Sequence, residues 1–471
     1  MYGSELSKHS VYWQILKSRK AKPESILYWF IFILGLTWTL YISIASQGVP
    51  VHDEIAHFLI SKNAWQQPQL LLSLWGRPVR NLVYWIPALW GLSAARFFSL
   101  AITSFTIIIT TQIGSVLGIK KLYLVPLFIW FQPWVSALSF TVLPQIPFSF
   151  LLASGVYLGL KEKYIKASLV FGLLPLTRHE GIAVLGVWLL FLFLLRNWKA
   201  LFAAFLPLII FNMLYLVVNN EFAFDIYFVT KPTERYGQGD WLYYIRPLPN
   251  EMGILTLIFS IISIIPIIKS RRKILIFVPY ITYLFTHVVI FRFGLFASGG
   301  YHLFLLPLAP AFGFAAAIGV EFALSFFNKL VGTHSKRATV SYIAKFMLIM
   351  ISIIVIFTGF KTKPIPLDDE GKALQQAARW LQANNLDRDQ VISTHVWFDY
   401  FYNIYSPYQV PPINELSPGS VIVWNEHYAD RSGVFYDLLI DSKNCWNKLD
   451  SFGENDIVVL FIKTSDTLPC P

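Results

Sequence analysis

The stretch "VHDEIAHF", Val51 to Phe58, sets His52, Asp53, Glu54 and His57 directly after an apolar run from Ile26 to Ala45. If Asp53 opens a helix, Glu54 and His57 stand three residues apart, and Asp53 stands four before His57. One helical face then presents two carboxylates and an imidazole, while Ile55, Phe58 and Leu59 point the other way. Such a set can remove a proton from an acceptor hydroxyl as a general base. Asp53, Glu54 and His57 are also a ligand set compatible with a divalent metal. The plain alternative is a helix N-terminus, where acids are favoured by the dipole, and spacing alone does not separate these readings. "HDEIAH" is not the zinc-protease HExxH, because Asp53 stands where the first His belongs. "EIAH" matches half of a di-iron motif, but no second Glu-x-x-His follows.

Two further groups have chemical potential. In "LPLTRHEG", Leu174 to Gly181, the ionisable Arg178, His179 and Glu180 lie between apolar runs too short to span alone. Charges at that depth are costly unless they pair or face a wet cavity, so this is either a cavity-lining cluster or a paired polar turn. Arg77 and Arg80 in "WGRPVRN", Arg96 and Arg292 form the third group, with His302 in "ASGGYHLFLLPLAP". A guanidinium offers a planar fork of donors to phosphate oxygens; any single one can equally anchor a lipid head group.

The elements that position these residues are membrane helices. The chain has 471 residues, 55% hydrophobic and only 14% charged, where a soluble protein carries about a quarter charged residues. Apolar runs near span length fall at about 26–46, 92–117, 122–140, 146–160, 167–177, 181–195, 200–218, 251–268, 274–291, 303–326 and 341–360. The first reads as a retained helix, not a cleaved signal. With the N-terminus inside, the inner segments carry 20 Lys plus Arg and the outer ones 9. That bias favours a cytoplasmic N-terminus, and eleven spans put the C-terminus outside.

A boundary is expected near Phe360. Residues 1–360 carry a net charge of +17 and residues 361–471 a net charge of −6. The overall basicity is therefore a loop signal and gives no reason to invoke nucleic acid. "DDEGKALQQAARWLQANN" is amphipathic, with Leu374, Ala377, Ala378 and Leu381 on one face. "QVISTHVWF", "GSVIVWNE" and "DIVVLFIK" read as short buried strands. The expected fold is an α-helical polytopic membrane protein of about 11 transmembrane helices with a small C-terminal α/β domain outside. The first outer loop, Gln47 to Gly91, carries Trp65, Trp75, Trp85 and Trp90 and suits helices lying in the interface. The second, Asn219 to Asn250, is aromatic and polar. The two cysteines, Cys445 and Cys470, form no CxxC; a disulfide between them suits an oxidising compartment. No Asn-x-Ser/Thr sequon occurs, which fits a bacterial or archaeal cell membrane.

In order and content these residues resemble the GT-C superfamily of membrane glycosyltransferases, nearest to the polyprenyl- or dolichyl-phosphate-sugar users of the protein O-mannosyltransferase and aminoarabinose-transferase type. An outer loop opens on the acidic pair Asp53–Glu54. Arg77–Pro78 follows, then Arg178 to Gly181, then a Gly-Gly-Tyr segment leading into a Pro-rich span, Gly299 to Pro310. The resemblance covers about residues 1–360; residues 361–471 add nothing to it. It implies a sugar moved from a polyprenyl-phosphate donor to a hydroxyl acceptor on the outer face of the lipid bilayer, with inversion. Asp53 would be the base and Glu54 its assistant. Arg178, with Arg77, Arg80 or Arg292, would neutralise the departing phosphate, and His57 and Glu180 would position sugar or acceptor. The chain departs from the family pattern at His179 and at "GGYHLF", where relatives often carry an Arg after the Tyr; His302 or Arg292 would take its place. The competing classes are a transporter or flippase for an anionic lipid, and a non-catalytic subunit of a glycan assembly complex. Internal repeats expected of many transporters are absent.

Overall fold

The structure is a computed structural model that describes residues 23–223, 237–296, 299–331, 337–405, 411–429, 432–441, 445–454 and 457–464. The basic residues Lys8, Lys17, Arg19, Lys20, Lys22 and Lys336, residues 224–236 of the second outer loop, Ala297 and Cys470 lie outside the described residues. The chain divides into two compact units: Met1–Ile44 with Pro68–Pro364, and Ala45–Gln67 with Ile365–Pro471. The later boundary falls near the expected position, but the second unit also takes residues 45–67, which the sequence reading had kept with the membrane helices.

The first unit is helical and that of an integral membrane protein. Among the described residues six helices are long and apolar enough to cross a bilayer: Glu24–Ala45, Leu92–Val116, Trp198–Asn219, Arg271–Arg292, His302–Leu330 and Tyr342–Phe360. Shorter apolar helices occupy Gln145–Leu160, Tyr164–Thr177, Gly181–Leu194 and Ile254–Ile268. Not every expected run is one continuous helix. The run expected at 122–140 breaks into Leu124–Trp130 and Pro133–Leu138. Pro133 has no N–H and biases Gln132 to extended backbone (φ −67°, ψ 131°). The Gln132 amide repairs the break: Nε2 donates to Phe128 O at 2.7 Å and to Ala309 O at 3.0 Å. The late span likewise opens as a 3₁₀ turn, His302–Leu308, before its α-helix, Ala309–Val331.

Burial separates central from peripheral helices. Within the most apolar window of each, His302–Leu330 is 83% buried, whereas Trp198–Asn219 and Tyr342–Phe360 are 11% buried. Apolar side chains left outward on a span face lipid, which is as apolar as they are. The first and last spans meet: Trp38 Nε1 donates to Gly359 O at 3.2 Å and its ring lies 4.6 Å from that of Phe360. Between the first two long apolar helices, the Pro78–Trp85 helix buries Arg80, Asn81 and Tyr84 and exposes Leu82, with Ile86 exposed just beyond it. Apolar outside and polar inside is the pattern of a helix at a lipid interface.

The second unit holds a four-stranded sheet of order β1-β2-β4-β3, with β1 Val391–Ser393, β2 Val421–Asn425, β3 Trp446–Phe452 and β4 Val458–Lys463. β1 and β2 are parallel, and the other pairs are antiparallel. β2 and β4 are the expected apolar runs. β1 is shorter than expected: "VWF" of "QVISTHVWF" enters the helix Val396–Tyr402 because His395 caps it, Nδ1 accepting from Trp397 N–H at 3.0 Å. β3, half-exposed at the sheet edge, gave no strand signal. Helix Asp369–Ala383 buries Leu374, Ala377, Ala378 and Leu381, the expected face, and its N-cap Asp368 accepts from Gly371 N–H at 2.7 Å. Residues 45–67 are tied into this unit by backbone and side chain: Gly48 N–H donates to Ile365 O at 3.0 Å, Ile365 N–H to Ser46 Oγ at 2.9 Å, and Lys62 Nζ to Asn403 Oδ1 at 2.6 Å.

In the first unit the central helix approaches Ile254–Ile262 so closely that a Cβ on Gly319 would lie 1.9 Å from Phe259 O, whereas one on Gly186 would meet nothing within 4 Å. Gly319→Leu is therefore expected to cost about 1–3 kcal/mol by overpacking, and Gly186→Ala to leave stability unchanged or slightly raised. Thermal unfolding in detergent checks this: equal melting temperatures for Gly319→Leu and the parent chain would contradict the close approach.

Candidate functional site

In the first unit the candidate centre forms around Arg178. Helix Leu174–Thr177 is one turn long, opened by Pro175 in its first turn and closed by Arg178 in extended backbone (φ −155°, ψ 138°). Helix Gly181–Leu194 then starts with Glu180 as N-cap. Only glycine fits position 181, since a Cβ there would sit 2.5 Å from the Leu174 carbonyl carbon. This tight turn faces Arg178 and Glu180 toward each other. Arg178 Nε donates to Glu180 Oε2 at 3.1 Å and Nη2 to Oε1 at 2.8 Å, both side chains being buried. The pair is bidentate, the strong geometry for a guanidinium and a carboxylate.

Around the pair stand aromatic rings and two imidazoles. The Arg178 guanidinium lies 4.2 Å over the Phe304 ring. His179 Nε2 is 3.6 Å and His287 Nε2 3.7 Å from Glu180 Oε1. His287 is fully buried, stacked on Phe304 at 5.7 Å and edge-on to Tyr283 at 4.7 Å. Tyr283 OH donates to Phe304 O at 2.7 Å and holds that ring's backbone. The sequence reading left two alternatives for "TRHEG", a cavity lining or a paired turn; the residues are a buried pair with imidazoles gathered on the carboxylate. His287, Tyr283 and Phe304 were missed. The available signal was His287 itself, an ionisable residue inside a span-length apolar run.

The other cations singled out in the sequence divide by position. Arg80 is buried: Nε and Nη2 donate to Val142 O at 3.1 and 2.9 Å, and Nη1 to Asn81 Oδ1 at 3.1 Å. With Ser99 Oγ on Thr141 O and Thr103 Oγ1 on Ser139 O, it satisfies carbonyls of the stretch between Pro133–Leu138 and Gln145–Leu160, a need imposed by an apolar surrounding. Arg77, half-buried, caps helix Pro78–Trp85 with φ +65°, a costly backbone for a residue with a Cβ. Arg292 ends helix Arg271–Arg292, half-buried. His302 opens its 3₁₀ turn with its ring 5.1 Å from that of Tyr243.

In the second unit helix Asp53–Asn63 forms as expected, with Asp53 and Glu54 in its first turn. The expected shared surface does not form. Asp53 is exposed, but Glu54 and His57 are buried, as is every residue from Glu54 to Ser61. Tertiary packing covers the helix all round: helix Val396–Tyr402 packs on it, with Tyr400 and Phe58 rings 5.8 Å apart. Nor do Asp53, Glu54 and His57 converge as metal ligands. Among the described residues, the group of His, Cys, Asp and Glu close enough for one ion is His52, Glu370, His395 and His427. Cys445 is buried and disulfide-bonded.

The Arg178–Glu180 fork makes a sharp energetic prediction. Glu180→Leu leaves a buried guanidinium uncompensated and is expected to destabilise by about 3–5 kcal/mol, as is Arg178→Leu, while the double variant loses less than the sum. A double-mutant cycle in thermal or denaturant unfolding that proves additive would contradict the pairing.

No family model matches the chain, and no curated protein matches it in sequence. Among the solved structures that match it in fold are two of one protein. ArnT from Cupriavidus metallidurans in the apo state superposes with a TM-score of 0.63 at 12% identity, over 94% of this chain and 98% of that one. ArnT from the same organism bound to undecaprenyl phosphate superposes with a TM-score of 0.61 at 12% identity, over 98% of this chain and 100% of that one. The helical membrane unit, the sheet unit and their order along the chain thus make an ArnT-like fold across nearly the whole length.

Proposed function

We propose that this protein transfers a sugar from a polyprenyl-phosphate donor to a hydroxyl acceptor on the outer face of the membrane, inverting the anomeric carbon. The observation that carries this reading is the fold shared end to end with a structure that holds undecaprenyl phosphate. The charge bias of the loops supports a cytoplasmic N-terminus and an outer working face.

Asp53 is assigned the general base. It is the exposed member of the acidic pair, at the first position of its helix. Its carboxylate takes the acceptor hydroxyl proton as that oxygen attacks the anomeric carbon, and the bond to the phosphate oxygen breaks on the opposite side. Polyprenyl phosphate leaves with the electron pair. Glu54, buried behind Asp53, is assigned to hold the helix start, and His57 to support it. Arg178 is assigned to the phosphate. Two of its five N–H groups are on Glu180, and a guanidinium has five to give. Fixed donors aimed at developing charge are usually the largest catalytic contribution, and Glu180 with His179 and His287 fixes this one. Arg77, Arg292 and His302 are assigned supporting contacts to donor or acceptor; Arg80, tied to Val142 O, acts by holding the fold.

Asp53→Asn tests the assignment in purified protein with a synthetic polyprenyl-phosphate sugar. Transfer is expected to fall about 10²–10⁴-fold, the usual contribution of a general base, with polyprenyl-phosphate binding retained. Unchanged transfer would remove Asp53 as base. Vesicle translocation of the lipid by the parent chain, with no sugar transfer, would favour a flippase.

A further inference from the structure

We propose that His52, Glu370 and His427, with His395 beside them, bind one divalent transition-metal ion of the zinc class in the second unit. The four residues come from four element ends. His52 caps helix Asp53–Asn63, Glu370 sits in the first turn of helix Asp369–Ala383, His395 caps helix Val396–Tyr402, and His427 follows β2. Residues 318 positions apart in the chain, 52 and 370, meet here. The ligand atoms lie within 4.8 Å of one another. Glu370 Oε2 is 3.4 Å from His427 Nδ1 and 4.0 Å from His52 Nε2, and Glu370 Oε1 is 3.6 Å from His395 Nε2. Tetrahedral zinc with bonds of about 2.0–2.1 Å sets its ligand atoms about 3.3 Å apart, so small side-chain rotations close the site. Two imidazoles and a carboxylate, with a third imidazole beside them, suit zinc and its neighbours; calcium and magnesium take oxygen ligands.

The surrounding contacts assign a role to each ring. Tyr428 OH is 3.3 Å from His52 Nδ1. With the Nδ1 proton donated there, the lone pair of Nε2 faces Glu370, the outer-group arrangement common for metal-bound histidines. Asp368 Oδ2, 3.7 Å from His52 Nε2, adds negative charge beside the site. The His427 ring is partly exposed, leaving its Nε2–H to solvent and an entry path for the ion, and Tyr428 stacks on it at 4.3 Å. His395 differs. Its Nδ1 accepts from Trp397 N–H, so its neutral ring carries the proton on Nε2. Nε2 is buried with no hydrogen-bond partner among the described residues. His395 therefore acts as a donor to Glu370 or to a metal-bound water, and three protein ligands leave the fourth position to that water.

This inference stands apart from the transferase reading. Its consequence is mechanical: His52 precedes Asp53, so the ion clamps the backbone from which Asp53 projects to the sheet of the same unit. The test uses the full-length protein in detergent, stripped with chelator and titrated with zinc and with cobalt(II). One equivalent is expected to bind, read by elemental analysis, with cobalt giving the visible absorption of a four-coordinate site. His52→Ala, Glu370→Gln and His427→Ala are each expected to weaken binding at least about 100-fold, and His395→Ala about 10–100-fold as an outer group. Asp53→Asn and His57→Ala keep the parent affinity. A parent chain that binds no stoichiometric zinc or cobalt overturns the proposal without any variant. So does binding that survives His52→Ala and Glu370→Gln, or that is lost only with Asp53 or His57.

Discussion

A charge in an apolar interior must meet its opposite, and in the first unit that requirement is answered by the Arg178–Glu180 fork. Both side chains are buried, with two hydrogen bonds between them. Their separation by one residue demands a sharp turn, which in turn demands a one-turn helix before it and a glycine after it. The flanking helices are short for that reason: the turn sits inside the unit, not at its surface. Phe304 lies against the guanidinium and His287 beside the carboxylate. An electrostatic centre built this way needs little reorganisation when a ligand charge arrives, which is the condition under which fixed donors act most strongly.

The same demand, applied to backbone, explains the irregular parts of the fold. Where Pro133 interrupts a helix, the Gln132 side chain supplies the missing donor to Phe128 O and reaches Ala309 O on another helix. Where the chain leaves helix Pro133–Leu138, Thr103, Ser99 and Arg80 supply donors to the Ser139, Thr141 and Val142 carbonyls, in that order. Breaks in membrane helices are tolerated where protein re-satisfies the freed groups. Arg80 thus carries a positive charge on the outer loop and yet serves the backbone.

These cases mark how far the sequence could be read. Membrane helices, the amphipathic Asp369–Ala383 helix and strands β2 and β4 follow from local periodicity, and they form where expected. "TRHEG" was legible because ionisable residues between short apolar runs violate the local rule for a span. His287 violates the same rule and was legible in principle. The break inside the run at 122–140 was not legible, because hydropathy averages over Pro133, where one helix ends and the next begins. Arg80 was illegible, since nothing local says that its target is a carbonyl 62 positions away. The edge strand Trp446–Phe452 was illegible too, because a half-exposed strand with charges has no strong alternation. The His52 cluster depends on three residues more than 300 positions downstream, which no local spacing can reveal.

The segment Val51 to Phe58 shows most directly how local spacing and environment part. Its helical geometry is the expected one, but a helix turns about 100° per residue, so consecutive side chains meet different surroundings. His52, at the N-cap and making no side-chain cap bond, turns toward Glu370. Asp53 is exposed, and Glu54 and His57 go into the packed interior. Four ionisable residues that look like one cluster in the sequence are therefore divided among three environments. Of the four, only Asp53 is exposed, while the residue before it faces Glu370 and Asp368 of the same unit. The base proposed above must be held in place to act, and the residue nearest in sequence to Asp53 is the one around which His395, His427 and Glu370 gather.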